Sequence, residues 1–255
     1  PAINNQIFMK NQLNLFFLAL GFFSRIPMPK WVEYSPEKLN QSSRYLTLVG
    51  WLLGALVAAV FWGAQTLFPE TISLWLAMLF SLLLTGAFHE DGLADTADGL
   101  GGAFARDKKL AIMKDSRIGT YGACALFMAL IGKYLLLIEN ADILIALLIA
   151  YPLSRATAVS LIADMQYVTD DDTSKSKPIA TTLGKTDLTI LLVSALPVFL
   201  LVDHTSAVYF LACLLLVRTL AKVYLKKQLG GYTGDTLGAV QQISELVIYG
   251  VLLAS

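Results

Sequence analysis

The chain has 255 residues, of which 56% are hydrophobic and only 15% charged, and its mean hydropathy is +0.64. Its 19 basic residues balance its 19 acidic ones, so electrostatics indicate no nucleic-acid partner. The two cysteines, Cys124 and Cys213, lie inside apolar runs, which argues against both a disulfide framework and a thiol catalyst. This composition predicts an integral membrane protein of one domain, with the lipid bilayer as its partner.

Seven apolar segments are long enough to cross a bilayer as helices. A shorter apolar segment at 13–23 predicts an N-terminal helix that is interfacial or re-entrant. The predicted fold is therefore an all-α, polytopic membrane helical bundle with about seven transmembrane helices. The seven segments lie at 45–68, 71–88, 118–138, 143–163, 188–202, 207–225 and 237–253.

The basic residues predict an orientation in the membrane. Lys and Arg concentrate in alternate connections, within 25–44, 106–117, 175–185 and 222–227, whereas the intervening connections carry none. By the positive-inside rule the basic connections are cytoplasmic, and the carboxyl terminus is external. The polar connection at 170–178 is also predicted to be a cytoplasmic loop.

An acidic motif, His89-Glu-Asp-Gly-Leu-Ala-Asp-Thr-Ala-Asp-Gly99, directly follows the second apolar segment. On a helix, Asp91, Asp95 and Asp98 share one face, because they are spaced at i, i+4 and i+7. Carboxylates this close together repel one another and are costly near hydrocarbon. The pattern predicts a Mg²⁺ site completed by substrate phosphates, although a solvated acidic helix end is the simpler alternative.

A second motif, Met113-Lys-Asp-Ser-Arg-Ile-Gly-Thr-Tyr-Gly122, precedes the third apolar segment. Lys114 and Arg117 are predicted to hold phosphate oxygens, Lys114 as a point charge and Arg117 as a bidentate fork. Gly119 and Gly122 predict close packing at the start of the next helix. The alternative is that basic residues here only reflect membrane topology.

A third motif, Gly230-Gly-Tyr-Thr-Gly-Asp-Thr-Leu-Gly238, leads into the last apolar segment. Gly230 and Gly231 predict a flexible turn that opens a helix and contacts a substrate phosphate. Asp235 is predicted to be a further carboxylate of the site, or simply the cap of that helix.

Glu245 follows ten residues later, roughly 15 Å deeper at the rise of an α-helix. A carboxylate at that depth is expected to face protein and to pair with a cation from another span. The candidate partners are Lys133, Arg155 and Arg218.

Taken together, these motifs resemble those of the cobalamin synthase family, also called adenosylcobinamide-GDP ribazoletransferases. The resemblance rests on the three motifs above and on Ser24-Arg-Ile-Pro-Met-Pro29, which occur in the family's order over nearly the whole chain. It implies a bacterial inner-membrane transferase that makes adenosylcobalamin, or its 5′-phosphate, and GMP. The substrates would be adenosylcobinamide-GDP and α-ribazole, or α-ribazole 5′-phosphate, with Mg²⁺ as the cofactor.

The resemblance also suggests roles for individual residues. Asp91 and Asp95 would bind the metal, and Asp98 would be a third ligand or the base for the attacking hydroxyl. Asp115 and Asp235 would complete the metal site or orient the nucleophile. The predicted substrate contacts are His89, Lys114, Arg117, Gly230 and Gly231.

Two alternative functions remain open from the sequence. A CDP-alcohol phosphotransferase also uses an aspartate-rich helix, but its Asp-Gly-x-x-Ala-Arg spacing is not found here. A secondary transporter would use the intramembrane charges Lys133, Arg155, Arg218 and Glu245 along a pathway. The sequence also leaves open whether the protein forms a homo-oligomer.

Overall fold

The computed structural model describes residues 2–168 and 180–254, without the side chains of residues 2–7. The described residues form eleven α-helices and no strand, apart from one isolated bridge between Tyr167 and Tyr232. This confirms the all-α fold class, whereas the loop predicted at 170–178 lies outside the described residues. The helices are α1 (Ala2–Phe23), α2 (Pro36–Ser42), α3 (Leu46–Ala64), α4 (Glu70–Thr85), α5 (Phe88–Gly102), α6 (Arg106–Met113), α7 (Thr120–Ile138), α8 (Ile143–Ser160), α9 (Lys185–Val193), α10 (His204–Leu229) and α11 (Gly234–Ala254).

Within the described residues, five helical segments are long and apolar enough to span a membrane. They contain α3, α7, α8, α10 and α11, and the bent pair of α4 and α5 makes a sixth if it is counted as one span. The polytopic character is thus confirmed, but the count is lower than the seven predicted. The difference lies at 188–202, where α9 ends at Val193 and a 3₁₀ turn, Leu196–Leu200, follows. Pro197 explains the break, because proline has no N–H to donate within a helix.

The N-terminal helix is longer than predicted, since α1 covers 22 residues rather than the 11 of the segment 13–23. Hydropathy missed its first half because residues such as Lys10 and Gln12 are polar without opposing helix formation. The helix ends where the Ser24 hydroxyl donates a hydrogen bond to the Leu20 carbonyl (2.7 Å).

The core is built around α8, whose residues are nearly all buried. On α3, a Cβ at Gly50 would lie 2.6 Å from the Tyr151 carbonyl oxygen, so the absence of a side chain lets α3 and α8 pack closely. In contrast, α7 and α10 bury only 22% and 17% of their apolar stretches. Their exposed apolar side chains are typical of lipid-facing helices.

A sharp bend separates α4 from α5 and positions the acidic motif. Gly86 (φ 66°) and Ala87 (φ 54°) both adopt the left-handed conformation, and the two helix axes meet at 83°. The N–H of Arg25 donates to the Leu84 carbonyl (2.7 Å), which ties the end of α1 to this bend. Because of the bend, α5 does not continue α4 but packs against α7 and α11.

Candidate active site

A cavity of about 800 Å³ opens between the end of α1, the α4–α5 bend, the α6–α7 connection, α8 and the start of α11. Six of the ten residues predicted from the sequence line it, and they come from all three motifs: His89, Asp91, Asp95, Lys114, Asp115 and Asp235. The other four, Asp98, Arg117, Gly230 and Gly231, lie outside its lining.

The acidic motif and the third motif meet where α5 crosses α11. A Cβ at Gly92 would lie 2.8 Å from the Asp235 carbonyl oxygen, and one at Gly238 would lie 3.3 Å from that of His89. Side chains larger than hydrogen would therefore separate the two helices. This contact brings the carboxylates of Asp91 and Asp235 to the same cavity.

The start of α11 is capped by two threonines. The N–H of Thr236 donates to the Thr233 hydroxyl (3.2 Å), and the N–H of Thr233 donates to the Thr236 hydroxyl (2.9 Å). This reciprocal pair takes the role of an N-terminal cap. Asp235, in the first turn and half-buried, is therefore not needed as the cap.

Asp98 ties α5 to the start of α7. One carboxylate oxygen accepts the N–H of Gly119 (2.6 Å) and the other accepts that of Gly122 (2.8 Å). A Cβ at Gly119 would lie 2.5 Å from the carboxylate, which explains the glycine. The carboxylate also faces the positive end of the α7 dipole. Asp98 thus has a clear structural role, and its predicted catalytic role stays a prediction.

Lys114 and Arg117 differ in position although they are only three residues apart. Lys114 lines the cavity, whereas the Arg117 side chain is 87% exposed and forms an ion pair with Asp115 (2.5 Å). The hydrogen bond from Arg117 to Asp115 raises the pKa of the guanidinium. Asp115 therefore contacts both the cavity and Arg117.

Gly230 and Gly231 are explained by the backbone around them. Gly230 ends α10 in the left-handed conformation (φ 82°), and its N–H donates to the Lys226 carbonyl (3.1 Å). A Cβ at Gly231 would lie 2.1 Å from the Gln166 carbonyl oxygen. A contact between these glycines and a substrate phosphate remains a prediction.

A buried polar network connects α5, α7, α8 and α11, and two of its members, Glu90 and Arg155, line the cavity. Lys133 lies 2.6 Å from Glu245 and 3.8 Å from Glu90, and Arg155 lies 3.8 Å from Glu245. The predicted pairing of Glu245 with Lys133 and Arg155 is confirmed. The pairing with Arg218 is wrong, because Arg218 bonds to Asp164 (2.9 Å).

Two further cationic residues line the cavity without having been assigned to the site. Arg25 follows α1 and lies beside Gly86, where an added Cβ would be 2.5 Å from its Nε. Arg155 enters from the middle of α8. Arg25 belongs to the Ser24–Pro29 motif, and this motif is the sequence feature that could have assigned Arg25 to the site.

His89 is buried against aromatic rings. Its ring stacks on that of Phe23, with centroids 5.5 Å apart and an interplanar angle of 14°. It is only 5% exposed, yet it borders the cavity. This position is compatible with the predicted substrate contact, and it also fixes the end of α1 against α5.

We call the part of the cavity lined by Asp91, Asp95, Asp235, Lys114 and Arg25 its mouth. The carboxylates there suit a hard cation without forming a complete cage. No group of three His, Cys, Asp or Glu side chains in the described residues is arranged to hold a metal ion by itself. Mg²⁺, however, commonly takes only one or two carboxylates and completes its shell with substrate phosphates and water. The carboxylates of Asp91 and Asp95 fit that requirement, and Asp235 lies in the same lining.

Comparison with known proteins identifies the family. The family model described as cobalamin-5-phosphate synthase matches residues 15–253. The chain belongs to this family. Proteins named adenosylcobinamide-GDP ribazoletransferase are similar over nearly their whole length: that of Vibrio cholerae serotype O1 is 52% identical over 96% of this chain and 95% of its own. The protein of that name from Shewanella frigidimarina is 51% identical over 99% of this chain and 98% of its own. No solved structure matches the chain.

Proposed function

We propose that this protein transfers the cobinamide phosphoryl group of adenosylcobinamide-GDP to α-ribazole or its 5′-phosphate. The products are adenosylcobalamin, or its 5′-phosphate, and GMP. The carrying observation is that one cavity is lined both by acids, Asp91, Asp95 and Asp235, and by the bases Lys114 and Arg25. A diphosphate between a divalent cation and basic side chains needs this combination. The family relationship supports this reaction over a CDP-alcohol transferase or a transporter.

The reaction is a displacement at phosphorus. The ribose 3′-oxygen of the nucleoside forms a bond to the phosphorus next to cobinamide, while the bond from that phosphorus to the bridging oxygen of GMP breaks. The hydroxyl proton passes to a carboxylate, and GMP leaves with the bridging oxygen. No oxidation or reduction occurs.

Within this proposal, the residues at the mouth have three roles: metal binding, phosphate binding and proton acceptance. Asp91 and Asp95 would hold Mg²⁺, and the bound cation would neutralise charge developing on the diphosphate. Lys114 and Arg25 bind phosphate oxygens. Asp235, which is half-buried and not needed as the cap of α11, accepts the proton of the 3′-hydroxyl.

We further propose that the cavity opens to the cytoplasm in a bacterial inner membrane. The basic residues of α6 and of its connection to α7, among them Lys108 and Lys114, support this orientation through the positive-inside rule. The end of α11 lies beside the α7–α8 connection, because the Asn140 side chain in that connection donates to the Tyr249 carbonyl (3.2 Å). That connection carries no Lys or Arg, and the positive-inside rule therefore places it outside. The carboxyl terminus is then external.

The test is GMP release by purified protein in detergent or liposomes, given adenosylcobinamide-GDP and α-ribazole with Mg²⁺ or EDTA. We expect Mg²⁺-dependent GMP together with a corrinoid that carries the nucleotide loop. Absence of both products from folded protein would contradict the proposal. CDP-alcohol substrates serve as the control for the alternative transferase.

A further inference from the structure

The floor of the cavity contains a hydrogen-bond donor and an acceptor that the described part of the chain does not satisfy. Arg155 is 3% exposed, and its Nη1 donates to the Tyr151 carbonyl (3.0 Å), but its Nε has no partner there. Glu90 is 5% exposed, and its Oε1 accepts from the Gln242 amide (3.0 Å), whereas its Oε2 has no such partner. Both residues line the cavity.

Unsatisfied polar atoms in a buried site are costly and uncommon, so each requires a reason. Here the donor and the acceptor are buried atoms, but both belong to side chains that line the cavity. A molecule that enters the cavity can therefore complete them. A ligand bound at the floor would supply the hydrogen-bond partners that Arg155 Nε and Glu90 Oε2 lack in the described part of the chain.

The charge of the floor indicates what kind of group completes it. Lys133 and Arg155 supply two positive charges, and Glu90 and Glu245 supply two negative ones, so the described network is balanced. A phosphate could bond to Arg155 but would bring its charge toward the open oxygen of Glu90, which is unfavourable at this depth. A hydroxyl accepts and donates while remaining neutral.

We propose that this floor, formed by Arg155 and Glu90, binds the ribose 2′-hydroxyl of the acceptor nucleoside, beside the 3′-hydroxyl that reacts at the mouth. The inference rests on the proposed function and adds that the two ends of the cavity receive different substrates. The mouth, with its carboxylates and basic residues, receives the diphosphate of the corrinoid. A cavity of about 800 Å³ is of a size for a drug-like molecule such as a nucleoside, whereas a corrinoid carrying GDP is far larger.

Arg155→Lys is the primary test, because it keeps the positive charge while removing the Nε donor. Arg218→Lys is the matched control, since Arg218 also lies on a helix and bonds to Ser160 and Asp164 outside the cavity. We expect Arg155→Lys to raise the KM for α-ribazole about tenfold or more, the effect of one charged hydrogen bond. The KM for adenosylcobinamide-GDP stays within about twofold in both variants.

Direct binding provides a readout that does not depend on turnover. Calorimetry with α-ribazole alone is expected to show weaker binding to Arg155→Lys and to Glu90→Gln than to the unsubstituted protein. A 2′-deoxy analogue of α-ribazole is expected to bind the unsubstituted protein more weakly than α-ribazole does. The unsubstituted protein and the two variants are then expected to differ less in their affinity for the analogue than in their affinity for α-ribazole. Glu90→Gln also keeps the proposal testable if Arg155→Lys does not fold.

Three outcomes would overturn the proposal. These are an unchanged affinity for α-ribazole in both folded variants, an equal rise in the KM of both substrates, and a rise confined to the corrinoid. The last would mean that the floor receives the guanosine of the donor. If the unsubstituted protein binds α-ribazole but releases no GMP, the proposed function fails while the floor proposal stands.

Discussion

The mouth and the floor of the cavity use similar residues in opposite ways. At the mouth, Asp91 and Asp235 lie near the ends of helices and border open space. In the buried network behind the floor, Lys133 and Glu245 come from the interior of helices and pair with each other at 2.6 Å. Charges near helix ends can bind a ligand, whereas charges deep in a membrane protein must first satisfy one another.

Charge alone therefore does not identify a catalytic residue. Asp98 lies in the same motif as Asp91, but its two oxygens accept N–H groups of α7. Arg117 lies in the same motif as Lys114, but it is exposed and does not line the cavity. Substitutions at the mouth should therefore change catalysis, and substitutions in the floor pair should change stability.

The largest expected effect is on folding, from Lys133→Met. Among the described residues, removing this cation leaves Glu90 without an ion-pair partner and Glu245 with Arg155 alone, 3.8 Å away. Breaking a buried ion pair in this way typically costs about 3–5 kcal/mol. The free energy of unfolding in detergent measures the effect. Lys108→Met, at an exposed position of α6, is the control and is expected to leave stability unchanged. Equal stability of the two variants would contradict the account of the floor.

Asp91→Asn is expected to act on turnover instead. Loss of a metal-binding carboxylate should reduce GMP release by roughly 10²–10³-fold, the usual effect of removing one group that stabilises transition-state charge. Thermal unfolding should stay unchanged, because Asp91 is exposed. Asp107→Asn, on exposed α6, serves as the matched control. Full activity of Asp91→Asn would remove this residue from the site.

Asp98→Asn tests whether Asp98, although it lies in the acidic motif, stabilises the fold and does not bind the metal. An asparagine can accept only one of the two N–H groups, and a lost hydrogen bond to a charged group costs about 1–3 kcal/mol. We expect lower thermal stability and an unchanged Mg²⁺ requirement. A higher Mg²⁺ requirement at normal stability would instead make Asp98 a metal ligand.

The smallest effect is expected where a basic residue lies outside the cavity. Lys114→Gln should raise the KM for adenosylcobinamide-GDP about tenfold through loss of a phosphate contact. Arg117→Gln should change it less than about threefold, because an exposed ion pair contributes little. Steady-state kinetics of the two variants measure both effects. The reverse order would show that Arg117, and not Lys114, reaches the substrate.

Local sequence patterns predicted the elements that carry the site. Apolar runs marked α7, α8, α10 and α11, and the spacing of the acidic motif marked a helix, observed as Phe88–Gly102. These features depend on residues within a few turns of one another. The same local motifs contain the six predicted site residues that line the cavity.

The features that the sequence did not reveal depend on backbone angles or on distant contacts. Hydropathy carries no information on the φ angle of Ala87, so the bend between α4 and α5 was not foreseen. The bond from Gln242 to Glu90 joins residues 152 positions apart, and that from Gly122 to Asp98 joins residues 24 apart. Such distant contacts decide that Asp98 holds α5 to the start of α7, whereas Asp91 borders the cavity.

The most direct test of the contrast between mouth and floor is the Mg²⁺ dependence of GMP release, compared between Asp91→Asn and Glu245→Gln. The account predicts that Asp91→Asn needs a higher Mg²⁺ concentration for half-maximal release, whereas Glu245→Gln has a normal requirement and reduced thermal stability. A shifted requirement in Glu245→Gln, with a normal one in Asp91→Asn, would contradict the assignment of metal binding to the mouth.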